Sequence, residues 1–166
     1  MSDFYVQFPA GSFKMPAANP APLDNDTGTN GNIFRHLLDD TTEEFVECLL
    51  PEVPADIDTS GTVTFFAKGY ASTAVASKNI ELKVYHSAKA DGESWDAAYA
   101  NKESGDLATD GTQDELDFFT WTETVTALGW AASDQIRLKL SRIAPSTANL
   151  AGDWGLTAFG IIIPIT

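Results

Sequence analysis

Residues 80–88 read IELKVYHSA and residues 136–141 read IRLKLS. In the first stretch Ile80, Leu82, Val84, His86 and Ala88 fall on one side of an extended chain, with Glu81, Lys83, Tyr85 and Ser87 opposite. In the second, Ile136, Leu138 and Leu140 alternate with Arg137, Lys139 and Ser141. Successive side chains of an extended backbone point to opposite faces. Alternation with a period of two therefore predicts antiparallel strands, buried on one face and wet on the other. Around Glu115–Thr126, Phe119, Trp121 and Val125 share one face, and Thr120, Thr122, Thr124 and Thr126 share the other. Further strands are expected at Phe34–Leu38, Glu43–Leu50, Thr62–Tyr70 and Leu156–Ile163, with an additional one at Phe4–Phe8. Turn residues stand between them at Asp58–Gly61, Asp91-Gly92, Asp110-Gly111, Leu128-Gly129 and Gly152-Asp153. One helical turn is expected at Ser94–Ala100, where Trp95, Ala98 and Tyr99 share a face at helical spacing. No repeat and no long helical period interrupts this pattern. The expected fold is all-β: an antiparallel, jelly-roll-like β-sandwich of about eight strands, with an extended N-terminal arm.

That arm is read from composition. Residues 9–32, PAGSFKMPAANPAPLDNDTGTNGN, hold Pro9, Pro16, Pro20 and Pro22 of the chain's 8 prolines. Proline lacks a backbone donor and drives the preceding residue to extended conformations, which excludes helix and central strand. Residues 1–32 are therefore expected as an arm and residues 33–166 as the sandwich domain. A solvated tail has little use for Phe4, Tyr5, Phe8 and Phe13. With Met15 and Pro16 they are the candidate residues for an interface on a neighbouring subunit.

The chain has 166 residues, 43% of them hydrophobic, with ten Phe, four Trp and four Tyr, enough for one domain with a substantial core. Its 24 Asp and Glu against 10 Lys and Arg give a formal charge of −14. Such a balance works against nucleic acid, which is bound by releasing counterions to clustered Lys and Arg, and against anionic membranes. It favours solubility at high local concentration. Residues 1–32 carry only Asp3, Asp24 and Asp26 against Lys14, so nearly all the acid lies in the sandwich. Cys48 is the single cysteine, which excludes an intrachain disulfide and a cysteine-built zinc site. Residues 1–10, MSDFYVQFPA, have neither the basic nor the apolar segment of a secretory signal, so synthesis in a reducing cytoplasm is expected.

Catalytic signatures are missing. No nucleophile elbow, P-loop or zinc-protease motif occurs. His86 lies on an apolar strand face and reads as a buried histidine. Cys48 shares a face with Val46 and Leu50 and reads as a small hydrophobe. Acids concentrate at Asp39–Asp58 and Asp91–Asp117, chiefly as a solvated surface. Asp24 and Asp26 open a calcium-loop-like stretch, but position 12 of such a loop falls on Arg35, where a bidentate Glu is required. A looser Ca²⁺ site at Asp24/Asp26 or Asp39/Asp40 is left open; otherwise no cofactor is expected. Trp95, Tyr99, Trp121, Trp130 and Trp154 are candidates for a sugar-stacking platform, with Trp121 reading as core.

The order of segments carries a resemblance. FRHLLDDTTEEFVECLLPEVPADID is followed by GTVTFFAKGYAS, then NIELKVYHSAKADGESWDAAY, and the chain closes on DQIRLKLSRIAPSTANLAGDWGLTAFGIIIPI. This resembles the β-sandwich structural proteins of tailed bacteriophages: head decoration (cement) proteins and tail-appendage domains. Their turn and strand patterns match at Asp39, Asp40, Thr41, Glu43, Glu44, Pro51, Ala90, Asp91, Gly92, Glu93, Trp95, Asp96, Arg142 and Asp153, over about residues 33–163. Arg142 departs from the pattern, being followed by Ile-Ala-Pro where the family has an acid.

The resemblance implies a non-enzymatic virion protein. The leading expectation is a head decoration or minor capsid protein that cements the shell from outside. It would bind the major capsid protein and copies of itself as a homotrimer, with its acidic sandwich away from the packaged genome. The alternative is a receptor- or glycan-binding domain of a tail fibre or tip.

Overall fold

The computed structural model describes residues 3–28, 31–50, 52–73 and 78–166. Pro51, one of the positions carrying the resemblance, lies outside them. Among the described residues ten strands run β1 (Asp3–Pro9), β2 (Leu23–Gly28), β3 (Gly31–Leu38), β4 (Phe45–Leu50), β5 (Thr62–Ala71), β6 (Asn79–Lys89), β7 (Ala100–Ala108), β8 (Asp117–Thr124), β9 (Gln135–Ile143) and β10 (Trp154–Pro164). A single helical turn, α1 (Val125–Leu128), follows β8. Its N-terminus is capped by the Thr124 hydroxyl, which accepts from the Ala127 N–H, and it stops at Gly129 in the left-handed region, φ 66°.

Two antiparallel sheets face each other. The first is ordered β2-β3-β10-β5-β8, with β1 also paired to β10; the second is β4-β9-β6-β7. One edge of β10 is shared in two lengths: Trp154–Leu156 pair with β3, and Ala158–Pro164 pair with β1. The register shifts between Leu156 and Ala158. An extra residue there reverses the parity of the strand. Trp154 and Leu156 before the shift, and Phe159, Ile161 and Ile163 after it, are thus all buried in one core. Phe65 stacks on Trp121 and Phe159 at its centre, and Trp130 meets Phe65 edge-on. The second sheet contributes Val46, Cys48, Leu50, Ile80, Leu82, Val84, Ile136, Leu138 and Leu140 at the period the sequence predicts.

The arm expected over residues 1–32 is, over its described residues, part of the sandwich. Residues 3–9 and 23–28 are strands of the first sheet. The connection between them crosses to the second sheet and borders β4: Lys14 exchanges both backbone hydrogen bonds with Glu47, and the Asn19 carbonyl accepts from the Phe45 N–H. Both ring nitrogens of His36 lie 3.0 Å from carbonyl oxygens of this connection, Ala21 and Ala10. Prolines fit here because the bonds to the sheets fall on Lys14, Asn19, Ala21 and the Pro22 carbonyl, and none needs the N–H that Pro16, Pro20 and Pro22 lack. A second correction concerns Ser94–Ala100, where no helical turn forms. The segment is an irregular connection leading from β6 into β7.

His86 is buried on the inward face of β6, with Nδ1 accepting from Trp130 Nε1–H at 3.4 Å and Nε2 without a partner. Burial, and secondarily the Lys102 charge, hold its pKa down to about 4 from the ordinary 6.5. The unfolded chain therefore takes up a proton first as the solution is acidified. Stability from this site is full above about pH 6.5 and is lost as pH falls towards 4. The shift corresponds to about 3 kcal/mol, most of it lost by pH 4.5. Burial also raises the carboxyl pKa of Glu44, Glu81, Asp117 and Asp153, which acts in the opposite sense in acid. A comparison with His86→Gln isolates the histidine: between pH 7 and pH 4.5, urea unfolding of the wild type should lose about 2 kcal/mol more than the variant does.

Candidate functional site

Among the five candidate platform aromatics, Trp121, Trp130 and Trp154 are core. Trp154 Nε1–H donates to Asp117 Oδ2 at 2.8 Å, so its burial leaves no orphan donor. Trp95 and Tyr99 belong to the surface. The β6–β7 connection turns at Ala90–Glu93, where the Glu93 N–H donates to the Ala90 carbonyl and the Ala90 N–H to Glu93 Oε2. It then folds over the outer face of the second sheet. There it meets Arg137, which points outward from β9 because Ile136 and Leu138 point inward. The Arg137 guanidinium carbon lies 5.3 Å from the Trp95 ring centre and 4.9 Å from that of Tyr99. Arg137 Nη2 also donates to the Ala97 carbonyl at 3.3 Å. Lys139, two residues on, lies 4.8 Å from the Tyr99 ring and pairs with Glu47 at 2.9 Å.

Two hollows adjoin this cluster. One, of about 410 Å³, is walled by Trp95 with Glu52, Lys89, Asp91, Glu93 and Gln135. The other, of about 210 Å³, is lined by Tyr99, Arg137, Lys14, Glu47, Leu49 and Leu138. Trp95 remains 40% exposed. Among the described residues Trp95 is thus the one aromatic wall of a hollow whose other lining is mostly polar and charged. The sequence names Trp95 and Tyr99 but passes over Arg137. Its signal is an arginine on the outward register of a strand in a strongly acidic chain.

The six candidate interface residues do not form one surface. Phe4 and Phe8 are half-buried against the core, and Phe13 is buried edge-on to His36. Pro16 is half-buried, and Met15 is exposed. Tyr5 is 54% exposed and stacks on Phe66 at 5.2 Å. Phe66 continues to Phe118, which is 59% exposed, and Lys68 lies 5.9 and 5.5 Å from these two rings. An aromatic stripe thus crosses the outer face of the first sheet from β1 to β8, passing over β10 at Gly160.

Much of the acid locks turns. Asp39 Oδ1 accepts from the Thr41 N–H, the Thr41 hydroxyl and the Thr42 N–H, and these bonds lower its pKa. The Glu44 carboxylate returns the arrangement by accepting from the Asp39 N–H. Glu43 Oε1 accepts from the Tyr85 and Ser141 hydroxyls. Asp106 holds Ser146 and Thr147 in the same manner. Asp24 and Asp26, the other proposed calcium ligands, sit 3.0 and 3.1 Å from Arg35, the residue that breaks the calcium-loop pattern. Among the described residues no three of His, Cys, Asp and Glu are grouped to hold a metal. Cys48 is buried, and burial pushes its thiol pKa up.

No protein-family model matches the chain, and no curated protein matches it in sequence. Among solved structures it is similar to a family 35 carbohydrate binding module from Clostridium thermocellum, at 12% identity and TM-score 0.51, over 95% of this chain and 97% of that one. It is similar also to the xylan-binding module CBM15, at 12% identity and TM-score 0.50, over 98% and 97%. A looser likeness, at 9% identity and TM-score 0.43, links it to 34% of a chain of infectious bursal disease virus, Gx strain. The first two likenesses agree with the strand pairing on the fold: this chain is an all-β, jelly-roll β-sandwich.

Proposed function

We propose that this protein is a non-enzymatic binding domain of a virus particle, and that it holds a glycan across the two adjoining hollows, one walled by Trp95 and the other by Tyr99. The observation that carries the reading is the Trp95–Arg137–Tyr99 cluster. Sugar rings present an apolar C–H face, which packs on an aromatic face, and a rim of hydroxyls, which needs charged or amide partners. Glu52, Asp91, Glu93 and Gln135 line the same hollow as Trp95 and supply such partners. The two carbohydrate-binding modules share the fold; the groove of this chain is what supports the function. Placement on a phage particle, at a tail fibre or tip, rests on the sequence resemblance. A glycan array probed with the intact protein should give hits whose affinity falls at least tenfold, about 1.4 kcal/mol, in Trp95→Ala. An array without hits overturns the reading.

A second reading has its own observation. Tyr5 and Phe118, exposed on either side of the buried Phe66, form an aromatic patch of the kind that marks protein interfaces. It supports a decoration protein seated by this face on the major capsid protein or on copies of itself, as a homotrimer on the outer shell. In this reading the stripe takes the role first given to a free arm. Imaging labelled protein on intact particles separates the two readings: capsid faces for the second, tail appendages for the first.

A further inference from the structure

The smaller hollow differs in chemistry from its neighbour. Two of its lining residues are the cations Lys14 and Arg137, neither of which has a carboxylate within ion-pair distance among the described residues. Its one carboxylate, Glu47, is already paired with Lys139 at 2.9 Å. The hollow is therefore a positive spot on a chain of formal charge −14. Arg137 is also oriented in advance. Trp95 and Tyr99 stand against its guanidinium, one N–H is spent on the Ala97 carbonyl, and Nε is buried with no partner. A fixed guanidinium with donors to spare matches a carboxylate, whose two oxygens accept a pair of parallel N–H bonds. Apart from these charged groups the lining is apolar, with Leu49, Leu138 and the Tyr99 ring.

We infer that this hollow takes the carboxylate of an acidic sugar residue, with the sugar's apolar face on Tyr99 and its carboxylate on Arg137 and Lys14. Neighbouring residues of the same glycan would then run past Trp95 into the larger, acid-lined hollow, where hydroxyls find acceptors and a second carboxylate would be repelled. The favoured ligand is thus a glycan with an isolated uronic- or sialic-acid-type residue among neutral ones. The inference rests on the glycan reading above and adds the charge class of the ligand.

Calorimetric titration of the intact protein with a glucuronic-acid-bearing oligosaccharide, its neutral counterpart and a sulfated counterpart tests it. The acidic oligosaccharide should bind at least tenfold more tightly than the neutral one. Raising the salt from 0.05 to 0.5 M should narrow that gap, because the added attraction is electrostatic. Arg137→Gln should bring the two affinities together, and Arg137→Lys, which keeps the charge and loses the fork, should restore only part of the gap. The selectivity and its salt dependence are read on the unmutated protein, so a poorly folding variant does not remove the test. Equal or tighter binding of the neutral oligosaccharide overturns the inference and leaves the glycan reading standing. Binding of the sulfated form alone overturns the carboxylate assignment. Binding of none of the three overturns both.

Discussion

Arg142→Met is expected to lower the unfolding free energy by about 4 kcal/mol, read by urea denaturation at pH 7. Arg142 follows Ile136, Leu138 and Leu140 on the inward face of β9 and is 1% exposed. It donates to the Gly152 carbonyl at 2.6 Å, the Leu38 carbonyl at 3.3 Å and the Asn149 side-chain oxygen at 3.1 Å, and also to the Leu150 carbonyl. One guanidinium thus ties the end of β3 to the connection that delivers β10. Burial lowers its pKa, and the charges of Asp40, Asp153 and Asp39 work the other way. The carbonyls have turned inward to meet it. Methionine fills the volume but leaves those oxygens unsatisfied, and each buried unpaired acceptor costs about 1–3 kcal/mol. Arg142→Lys should recover less than half of the loss, since an ammonium cannot span partners from both elements. A loss below 1 kcal/mol for Arg142→Met would show that the connection re-forms its bonds with water.

Gly160→Ala is expected to cost about 3 kcal/mol and to release β1 from the first sheet. A Cβ at residue 160 would stand 2.2 Å from Phe66 Cζ and 2.4 Å from the Val6 carbonyl oxygen. The phenyl ring can swing aside; the carbonyl is backbone, and it belongs to the strand paired with β10 at this height. The first methyl group added therefore breaks the Tyr5–Phe66 stack and the β1 ladder together. Hydrogen exchange at residues 4–8 should accelerate far more than at β6 or β9, and the thermal midpoint should fall by several degrees. Unchanged exchange at β1 would mean that the strand shifts sideways without opening.

The strands that were legible in the sequence are those with one buried face: β4, β6, β8 and β9 alternate because water is on one side and Phe65, Phe159 or Trp121 on the other. β2 reads LDNDTG and β7 reads ANKESGDLA. No described side chain of either is buried, so neither carries a hydrophobic period, whereas β4 and β8, also outermost in their sheets, turn one face to the core. The N-terminal segment departs from the expected arm because proline density records only which N–H groups are missing. Which residues between the prolines bond to β4 is fixed by a distant partner. Trp130 and Trp154 sit beside turns and look peripheral, yet His86 and Asp117 take their N–H groups into the core. At the candidate site, Trp95 and Tyr99 suggested a helical face by their spacing of four. It is Arg137, far along the chain, that draws both rings to one place.

Every strand bonded to β10 precedes it in the chain. Until residues 154–164 have left the ribosome, the first sheet is three unconnected pieces: the β2–β3 hairpin, the β5–β8 pair and β1 alone. β10 brings Phe159, Ile161 and Ile163 into the core beside Phe65 and Trp121. Assembly of the first sheet is therefore paced by long-range pairing to β10. The same vacancy can be filled by the β10 of a second chain, so strand exchange between copies competes with correct closure.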